Sequence, residues 1–343
     1  MTRNHAIDNA KFLMILAVVF GHFIEPLINS SAVIKTVYMA IYSWHMPVLI
    51  LIAGMLSSPD YSRQNMIKLE NRILFPLVIF TFLYEVFHVV SYLSVSSYTI
   101  NLQRYWLLWF LYSLLIWRLL LPLALRLPYP IAISVAVSLV AGYFDQIGYF
   151  LGLSRTIYFF PFFLLGYRLT TSLFGDERLL KIPPALFAGI LLLNLALFWL
   201  LSDYSQRWLY GSFSYGRLKF DDWDAALIRA GLYALSFVSA ISVIGLVPRR
   251  HLKITAAGAN SLYAYVWHGF LVKIFWGAGL IYFFRALPPA VALALLFVLS
   301  LVVTWALSSR TVARLTQSLL LEPFIKLVRI RSREPASTQS NQR

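Results

Sequence analysis

The chain is dominated by apolar runs of about 20 residues that alternate with short polar stretches. An α-helix of about 20 residues spans the roughly 30 Å hydrocarbon core of a bilayer. The short alternating segments of a lipid-embedded β-barrel do not dominate. The pattern therefore predicts an all-α polytopic membrane protein with about ten transmembrane helices. The predicted spans are residues 8–28, 33–56, 73–95, 105–121, 129–145, 156–172, 183–202, 225–247, 258–284 and 289–309.

The first of these runs carries polar residues at both of its ends. Asp8 and Lys11 lie at its beginning, and Gly21 and His22 lie in its far part. On a helix, Lys11 and His22 fall within roughly 20° of one face and about 16 Å apart. They cannot touch through the helix alone, so either they serve two ends of one elongated ligand or they are unrelated. No small-x-small cleavage site follows His22, which predicts an uncleaved first span.

Composition and charge agree with a lipid setting. Of the 343 residues, 60% are hydrophobic and 13% are charged, and the mean hydropathy is +0.72. The net charge of +15 comes from basic residues spread over short loops, which argues against a nucleic-acid partner. Most Lys and Arg residues fall on one side of the predicted topology, which places both termini in the cytoplasm. The absence of cysteine excludes disulfides and thiolate metal sites.

The sequence divides into three parts by the same criteria. Residues 1–309 form the membrane domain. Residues 310–330 are predicted to form an amphipathic basic helix on the inner surface of the membrane. Residues 331–343 are polar and are predicted to be a disordered tail.

Ionisable side chains within membrane spans are costly, and so each is a candidate for function. His22 could be a general base or a neutral imidazole hydrogen-bonded between helices. Lys11 could contact phosphate or anchor the helix at the headgroups. Arg72 could bind an anionic ligand or serve as a positive-inside anchor.

Further candidates lie in the second and third spans. His45 precedes Pro47 by two residues, so the kink expected at the proline would aim His45 and the adjacent Trp44 inward. Glu85 and His88 are i, i+3 neighbours that could form a buried acid and base pair or satisfy each other.

Two later candidates and one loop have structural as well as functional interpretations. Trp109 could belong to an interfacial aromatic belt, and His268 could make interhelical hydrogen bonds. The polar loop 203–224 could contact a carbohydrate or lie at the interface as an aromatic loop. No nucleotide-loop, dinucleotide, zinc-protease or serine-hydrolase motif is present, which disfavours redox and metal enzymes.

Taken together, these residues resemble acyltransferase family three, a family of integral-membrane acyltransferases, and within it the branch similar to fucose 4-O-acetylase. Its signature of Arg or Lys, ten residues and then His resembles Lys11 and His22, with Asp8 in the matching acidic position; many relatives have Arg at the first position. Other segments resemble the family in the expected order. These are SWHMPVLILIAG at 43–54, NRILFPLV at 71–78, LLWFLYSLL at 107–115, YFFPFFLLGY at 158–167 and GANSLYAYVWH at 258–268.

The resemblance implies a ten-helix enzyme that transfers acetyl from cytoplasmic acetyl-CoA to a sugar hydroxyl, with His22 as the catalytic residue. Lys11, Lys68 and Arg72 are expected to bind the donor, and Asp8 is expected to give structural support. We place six further residues along the site or the acceptor: Trp44, His45, Glu85, His88, Trp109 and His268. No permanently bound cofactor and no metal are expected.

The expected partners are acetyl-CoA, a carbohydrate acceptor such as a surface polysaccharide and the lipid bilayer, with a homo-oligomer left open. The expected location is a bacterial inner membrane. One alternative is a secondary transporter or flippase for a lipid-linked saccharide, with His22, Glu85 and His88 as proton relays. Another is the same scaffold with succinyl as the donor group.

Overall fold

The computed structural model describes residues 4–96, 106–147, 152–220 and 222–331, and every regular element within them is helical. The helices are numbered here in chain order. They are α1 His5–Ile24, α2 Ala32–Met55, α3 Arg63–Leu69, α4 Phe75–Tyr92, α5 Trp109–Ala124, α6 Pro130–Ala141, α7 Leu153–Leu169, α8 Glu177–Lys181, α9 Pro184–Leu200, α10 Asp224–Leu246, α11 Lys253–Ala259, α12 Ser261–Gly277, α13 Leu280–Ala286, α14 Pro289–Leu307, α15 Arg310–Thr316 and α16 Glu322–Arg331.

Each of the ten predicted spans overlaps at least one helix, which confirms the all-α membrane class. The span predicted at 258–284 is divided between α12 and α13, which bend by 76°. Five helices in the described part of the chain are long and apolar enough to cross a membrane, or up to seven if each of two bent pairs is one span. Helices α5, α6 and α9 have 16, 12 and 17 residues and rise about 18 to 26 Å, less than a full hydrocarbon core. The count of ten spans and the cytoplasmic position of both termini stay predictions.

Helix α1 lies at the centre of the bundle. In its most apolar 18-residue window 72% of the residues are buried, against 22% for α14 at the periphery. The helix begins where the Asn4 side chain accepts a hydrogen bond from the backbone N–H of Ala6 at 3.0 Å. It gives way to a 3₁₀ turn at Glu25–Leu27. Asp8 and Asn9 of α1 are buried in protein, and Lys11 and His22 line internal cavities.

Asn9 anchors the first turns of α1 to the segment that leads into α11. Its side-chain amide donates to the carbonyl oxygens of Pro248 and Arg250, at 2.8 and 3.0 Å. Its oxygen accepts from the Thr255 hydroxyl at 2.7 Å. Asn9 is completely buried, so these bonds satisfy the amide and fix the height and rotation of α1.

Close glycine contacts join α2 to α7. A Cβ atom added to Gly54 would lie 2.1 Å from the carbonyl oxygen of Phe163, and one added to Gly166 would lie 2.1 Å from that of Leu51. The two backbones therefore touch directly, as small residues allow in membrane bundles. This contact holds α2, which carries His45, against the protein core.

The C-terminal segment consists of α15, a π-helical turn at Gln317–Leu321, and α16. It packs back on the bundle, since the Trp267 indole N–H donates to the Thr316 hydroxyl at 2.9 Å and Phe324 contacts Phe75 with ring centroids 5.6 Å apart. A helical segment thus lies where the sequence predicted one. Its placement on a membrane surface stays a prediction, and the predicted tail lies outside the described residues except for Arg331.

Candidate functional site

A large hollow opens beside the first turns of α1. It consists of two adjoining parts of about 510 and about 1460 Å³, which share Lys11 from α1, Lys68 from α3 and Arg72. These two parts are called the basic cavity below. The structure thus brings together the three residues predicted to bind the donor.

Local backbone features place these cations. The Lys11 ammonium pairs with the Asp8 carboxylate at 2.8 Å, and the anchored Asn9 lies between them in sequence. Arg72 belongs to the π-helical turn Glu70–Leu74 that joins α3 to α4. Such turns insert an extra residue into the helix and are frequent at functional sites.

Arg118 is a fourth cation of the basic cavity. It projects from α5 and donates to the carbonyl oxygen of Leu56 at 3.4 Å. Arg118 lies in the predicted span 105–121 and has no predicted role in the site. The available signal was an arginine within an apolar run, between Trp117 and Leu119.

The wall of the basic cavity is not purely cationic. The carboxylates of Asp8, Asp60 and Glu322 also line it. Hydrogen bonds from Ser62 lower the pKa of the exposed Asp60 carboxyl. Asp60 therefore stays ionised at neutral pH and sets a negative charge across from the cations.

A second, smaller cavity of about 60 Å³ surrounds His22. It is called the histidine cavity below. Its wall includes Glu25, His45, Trp109 and Arg155. It is therefore much smaller than the basic cavity and lined largely by rings.

The His22 imidazole is held from two sides. Its Nδ1 lies 3.2 Å from Oε2 of Glu25, and its ring stacks on His268 with centroids 5.4 Å apart and planes at 18°. Trp106 contacts it edge-on at 4.4 Å. Since an ionised carboxylate only accepts, Nδ1 carries the proton and the lone pair of the neutral ring lies on Nε2.

Two other predicted histidines are fixed by their own helices. His45 donates from Nδ1 to the carbonyl oxygen of Ile41 at 2.8 Å. His268 donates from Nδ1 to that of Ala264 at 3.0 Å, and its buried Nε2 makes no hydrogen bond. His45 lines the histidine cavity directly, whereas His268 lies behind His22 as a stacking partner.

Three predicted residues lie away from both cavities. Trp44 packs against the hydrophobic core. Glu85 accepts hydrogen bonds from the backbone N–H and the hydroxyl of Ser96, at 2.9 and 2.5 Å. His88 contacts the ring of Tyr92. The structure does not bring them to His22.

Arg155 and Glu25 are residues of the histidine cavity that were not assigned to the site from the sequence. The Arg155 guanidinium lies 5.1 Å from the centre of the Trp109 ring and donates to the Ser212 hydroxyl at 3.4 Å. Nothing in the sequence joins Arg155 to His22, because they meet only through packing. Glu25 follows His22 by three residues, and this helical spacing was an available signal.

The predicted polar loop folds toward the histidine cavity. Leu209 and Tyr210 line it, and the Tyr210 hydroxyl lies 2.8 Å from that of Tyr38. Burial and the nearby Glu25 carboxylate raise the pKa of Tyr210, which keeps its phenol protonated at neutral pH. The loop thus supplies a hydroxyl donor at the edge of the cavity.

One face of α1 runs along both cavities. Lys11 and Ile15 line the basic cavity, and Val18 and His22 line the histidine cavity. These four residues recur at helical spacing, so the face predicted from Lys11 and His22 is real. No group of three or more His, Asp or Glu side chains among the described residues could hold a metal ion.

These features define a membrane-embedded protein whose central helix joins a cationic cavity to a small histidine-lined cavity. The chain belongs to acyltransferase family three, since the family's acyltransferase domain matches residues 4–309. The match confirms the predicted family and makes the chain a membrane acyltransferase; the branch similar to fucose 4-O-acetylase stays a prediction. Comparisons with curated proteins and with solved structures find no match.

Proposed function

We propose that the chain is a membrane-bound O-acyltransferase that moves acetyl from acetyl-CoA to a hydroxyl of a sugar or surface polysaccharide, with His22 as the general base. The observation that carries the proposal is the single face of α1, on which Lys11 borders the basic cavity and His22 borders the histidine cavity.

The basic cavity suits the donor because coenzyme A carries phosphates on a long, thin arm. Lys11, Lys68, Arg72 and Arg118 surround the cavity and would bind the phosphates, since guanidinium and ammonium groups make charge-assisted hydrogen bonds to phosphate oxygens. The pantetheine arm would then lie along α1. The rise of about 16 Å from Lys11 to His22 is of the order of that arm.

The histidine cavity suits the transfer step. The Nε2 lone pair of His22 takes the proton of the acceptor hydroxyl while its oxygen attacks the thioester carbonyl. A C–O bond forms and the C–S bond breaks. The imidazolium then gives its proton to the departing thiolate, so the products are the acyl ester and free coenzyme A.

Glu25 has the geometry of a positioning residue. By accepting from Nδ1 it keeps the proton on that nitrogen and the lone pair on Nε2. Its negative charge also stabilises the imidazolium that forms during transfer. This is the role that an acidic residue fills beside a catalytic histidine in other acyl-transfer sites.

The acceptor would approach from the side of Trp109, Arg155 and Tyr210, which line the histidine cavity. Aromatic faces and hydrogen-bonding groups are the usual surroundings of a sugar ring. The cavity is too small for a whole sugar, so the acceptor would insert one hydroxyl arm. This restricts the reaction to hydroxyls that project from the acceptor and are sterically exposed.

The test is turnover by the purified full chain in lipid vesicles. Acetyl-CoA labelled in the acetyl group is supplied with a panel of methyl hexosides, and free thiol and labelled ester are measured. We expect thiol release that His22→Ala lowers by about 10²-fold or more. His251→Ala replaces an exposed histidine that lines neither cavity and should leave thiol release intact.

Two results would contradict the proposal. One is an absence of thiol release and ester formation with all donors and acceptors, which would favour the transporter interpretation. The other is full turnover by His22→Ala at normal membrane level.

A further inference from the structure

The two cavities meet at a pair of aromatic rings, Phe110 from α5 and Tyr265 from α12, which line both of them. Their ring centroids lie 5.6 Å apart with planes at 73°. We propose that these two rings form a size filter that admits acetyl to His22 and excludes longer acyl groups. The inference rests on the proposed function.

The position of the pair makes it the threshold of the transfer step. A thioester whose coenzyme lies in the basic cavity would reach His22 beside Phe110 and Tyr265, because among the described residues these two line both the histidine cavity and the adjoining part of the basic cavity, of about 510 Å³. The carbonyl carbon must come within about 3 to 3.5 Å of the attacking oxygen. Whatever follows the carbonyl must therefore fit against the two rings or inside the histidine cavity.

Both rings are braced. The Tyr265 side chain is buried, and its hydroxyl donates to the carbonyl oxygen of Leu107. Phe110 packs between Trp109 and Trp117, with ring centroids 6.3 and 6.5 Å away. A braced aromatic wall does not yield to an added methylene without strain elsewhere in the core.

The cavities on the two sides of the proposed filter differ sharply in volume. The histidine cavity measures about 60 Å³, against about 510 Å³ for the adjoining part of the basic cavity. The small cavity must also receive the acceptor hydroxyl, which leaves room for a methyl group beside the carbonyl. An extra methylene changes rates in an apolar pocket by about 10- to 200-fold, so each carbon added to the acyl group should lower kcat/KM.

Succinyl is disfavoured by the same wall, since its chain is two carbons longer than acetyl. Its terminal carboxylate would enter a cavity lined by both Glu25 and Arg155, so charge does not decide the outcome. The proposed filter selects by the size of the acyl group. Neutral acyl chains of different length therefore test it without a change of charge.

The experiment measures kcat/KM of the full chain in vesicles for acetyl-, propionyl-, butyryl- and succinyl-CoA, by release of free thiol. The wild type should prefer acetyl over butyryl by about 10-fold or more. Phe110→Ala should bring butyryl to within about 3-fold of acetyl, because the deleted ring leaves space for the added carbons.

Matched variants separate the filter from general loosening. Phe160→Ala removes the same side chain from a groove on another face of α7 and should keep the wild-type ratio. Phe110→Leu should give a ratio of acetyl to butyryl kcat/KM between those of the wild type and Phe110→Ala. This variant replaces Phe110→Ala as the test if Phe110→Ala does not reach the membrane.

The inference is overturned if the wild type uses acetyl but Phe110→Ala and Phe110→Leu keep its donor ratio, if Phe160→Ala changes the ratio equally, or if the wild type prefers butyryl or succinyl. No turnover by the wild type with any donor instead overturns the proposed function itself. The two failures are therefore distinguishable.

Discussion

The basic cavity and the histidine cavity lie along one face of the same helix but are built on opposite principles. Lys68 and Arg72 are exposed cations that line a large cavity, whereas His22 is packed among rings in a small one. A binding site for a long anion needs charge and room. A site for proton transfer needs a fixed imidazole and little water.

This difference determines how each region should respond to mutation. Losses in the histidine cavity should lower kcat, since its groups act on the reacting atoms. Losses in the basic cavity should raise KM for the donor and leave kcat largely intact. The predictions below run from the largest effect to the smallest. Each can contradict the assignment of kcat effects to the histidine cavity and KM effects to the basic cavity.

Replacing the base gives the largest effect. His22→Ala should lower kcat for acyl transfer by about 10²- to 10⁴-fold, the usual contribution of a general base. Binding of coenzyme A, measured by calorimetry, should stay near the wild-type value because the basic cavity is untouched. A loss of binding together with turnover would mean that His22 supports the fold and not the reaction.

Removing the charge beside the base comes next. Glu25→Gln should lower kcat by about 10- to 100-fold, the worth of a hydrogen bond to a charged group, with an unchanged donor KM. Glu25→Asp should restore part of the loss, since the charge returns on a shorter arm. Equal effects of Gln and Asp, or a rise in KM alone, would remove Glu25 from its positioning role.

Arg72 tests the other cavity. Arg72→Ala should raise KM for acetyl-CoA by about 10-fold, the lower end for an exposed charge-assisted contact. Arg72→Lys should recover only part of this, because lysine lacks the bidentate fork. Arg63→Ala, an exposed arginine of the same segment that lines neither cavity, is the control; a similar rise there would indicate a general charge effect.

What could be predicted from the sequence was what apolar run length and helical periodicity encode. The ten apolar segments follow from runs of about 20 residues, and the shared face of Lys11 and His22 follows from the roughly 3.6 residues of each helical turn. The count of membrane crossings is less accessible, because α6 is apolar but has only 12 residues. A hydropathy pattern finds such a helix without telling whether it crosses.

The missed residues were those brought in by tertiary packing. Arg118 and Arg155 come from α5 and α7, and neither has a sequence relation to α1. For Glu85 and His88 the i, i+3 spacing suggested a pair, whereas in the structure Glu85 accepts hydrogen bonds from Ser96 and His88 contacts Tyr92. Local spacing indicates which side chains could contact each other, and tertiary packing determines which of these contacts form.

Replacing Lys11 should give the smallest rise in the donor KM. It is therefore the most demanding test of the assignment of KM effects to the basic cavity. Lys11→Met should raise the donor KM by only about 2- to 5-fold, since a partly exposed charge contributes about 1 kcal/mol or less. The methionine keeps an apolar stem against the helix, so the change isolates the charge.

The matched control for Lys11 is Lys35→Met in α2, a lysine that lines neither cavity. The rise in donor KM for Lys11→Met should shrink as salt is added, because screening weakens the wild-type contact as well.

Asp8→Asn tests whether the 2.8 Å ion pair between Asp8 and Lys11 affects the donor KM. If Lys11 serves the donor, Asp8→Asn frees its ammonium and should leave KM unchanged or lower it. If Lys11 only neutralises the buried Asp8, Lys11→Met should leave KM unchanged and lower the amount of folded protein, and Asp8→Asn should restore that amount in the double variant.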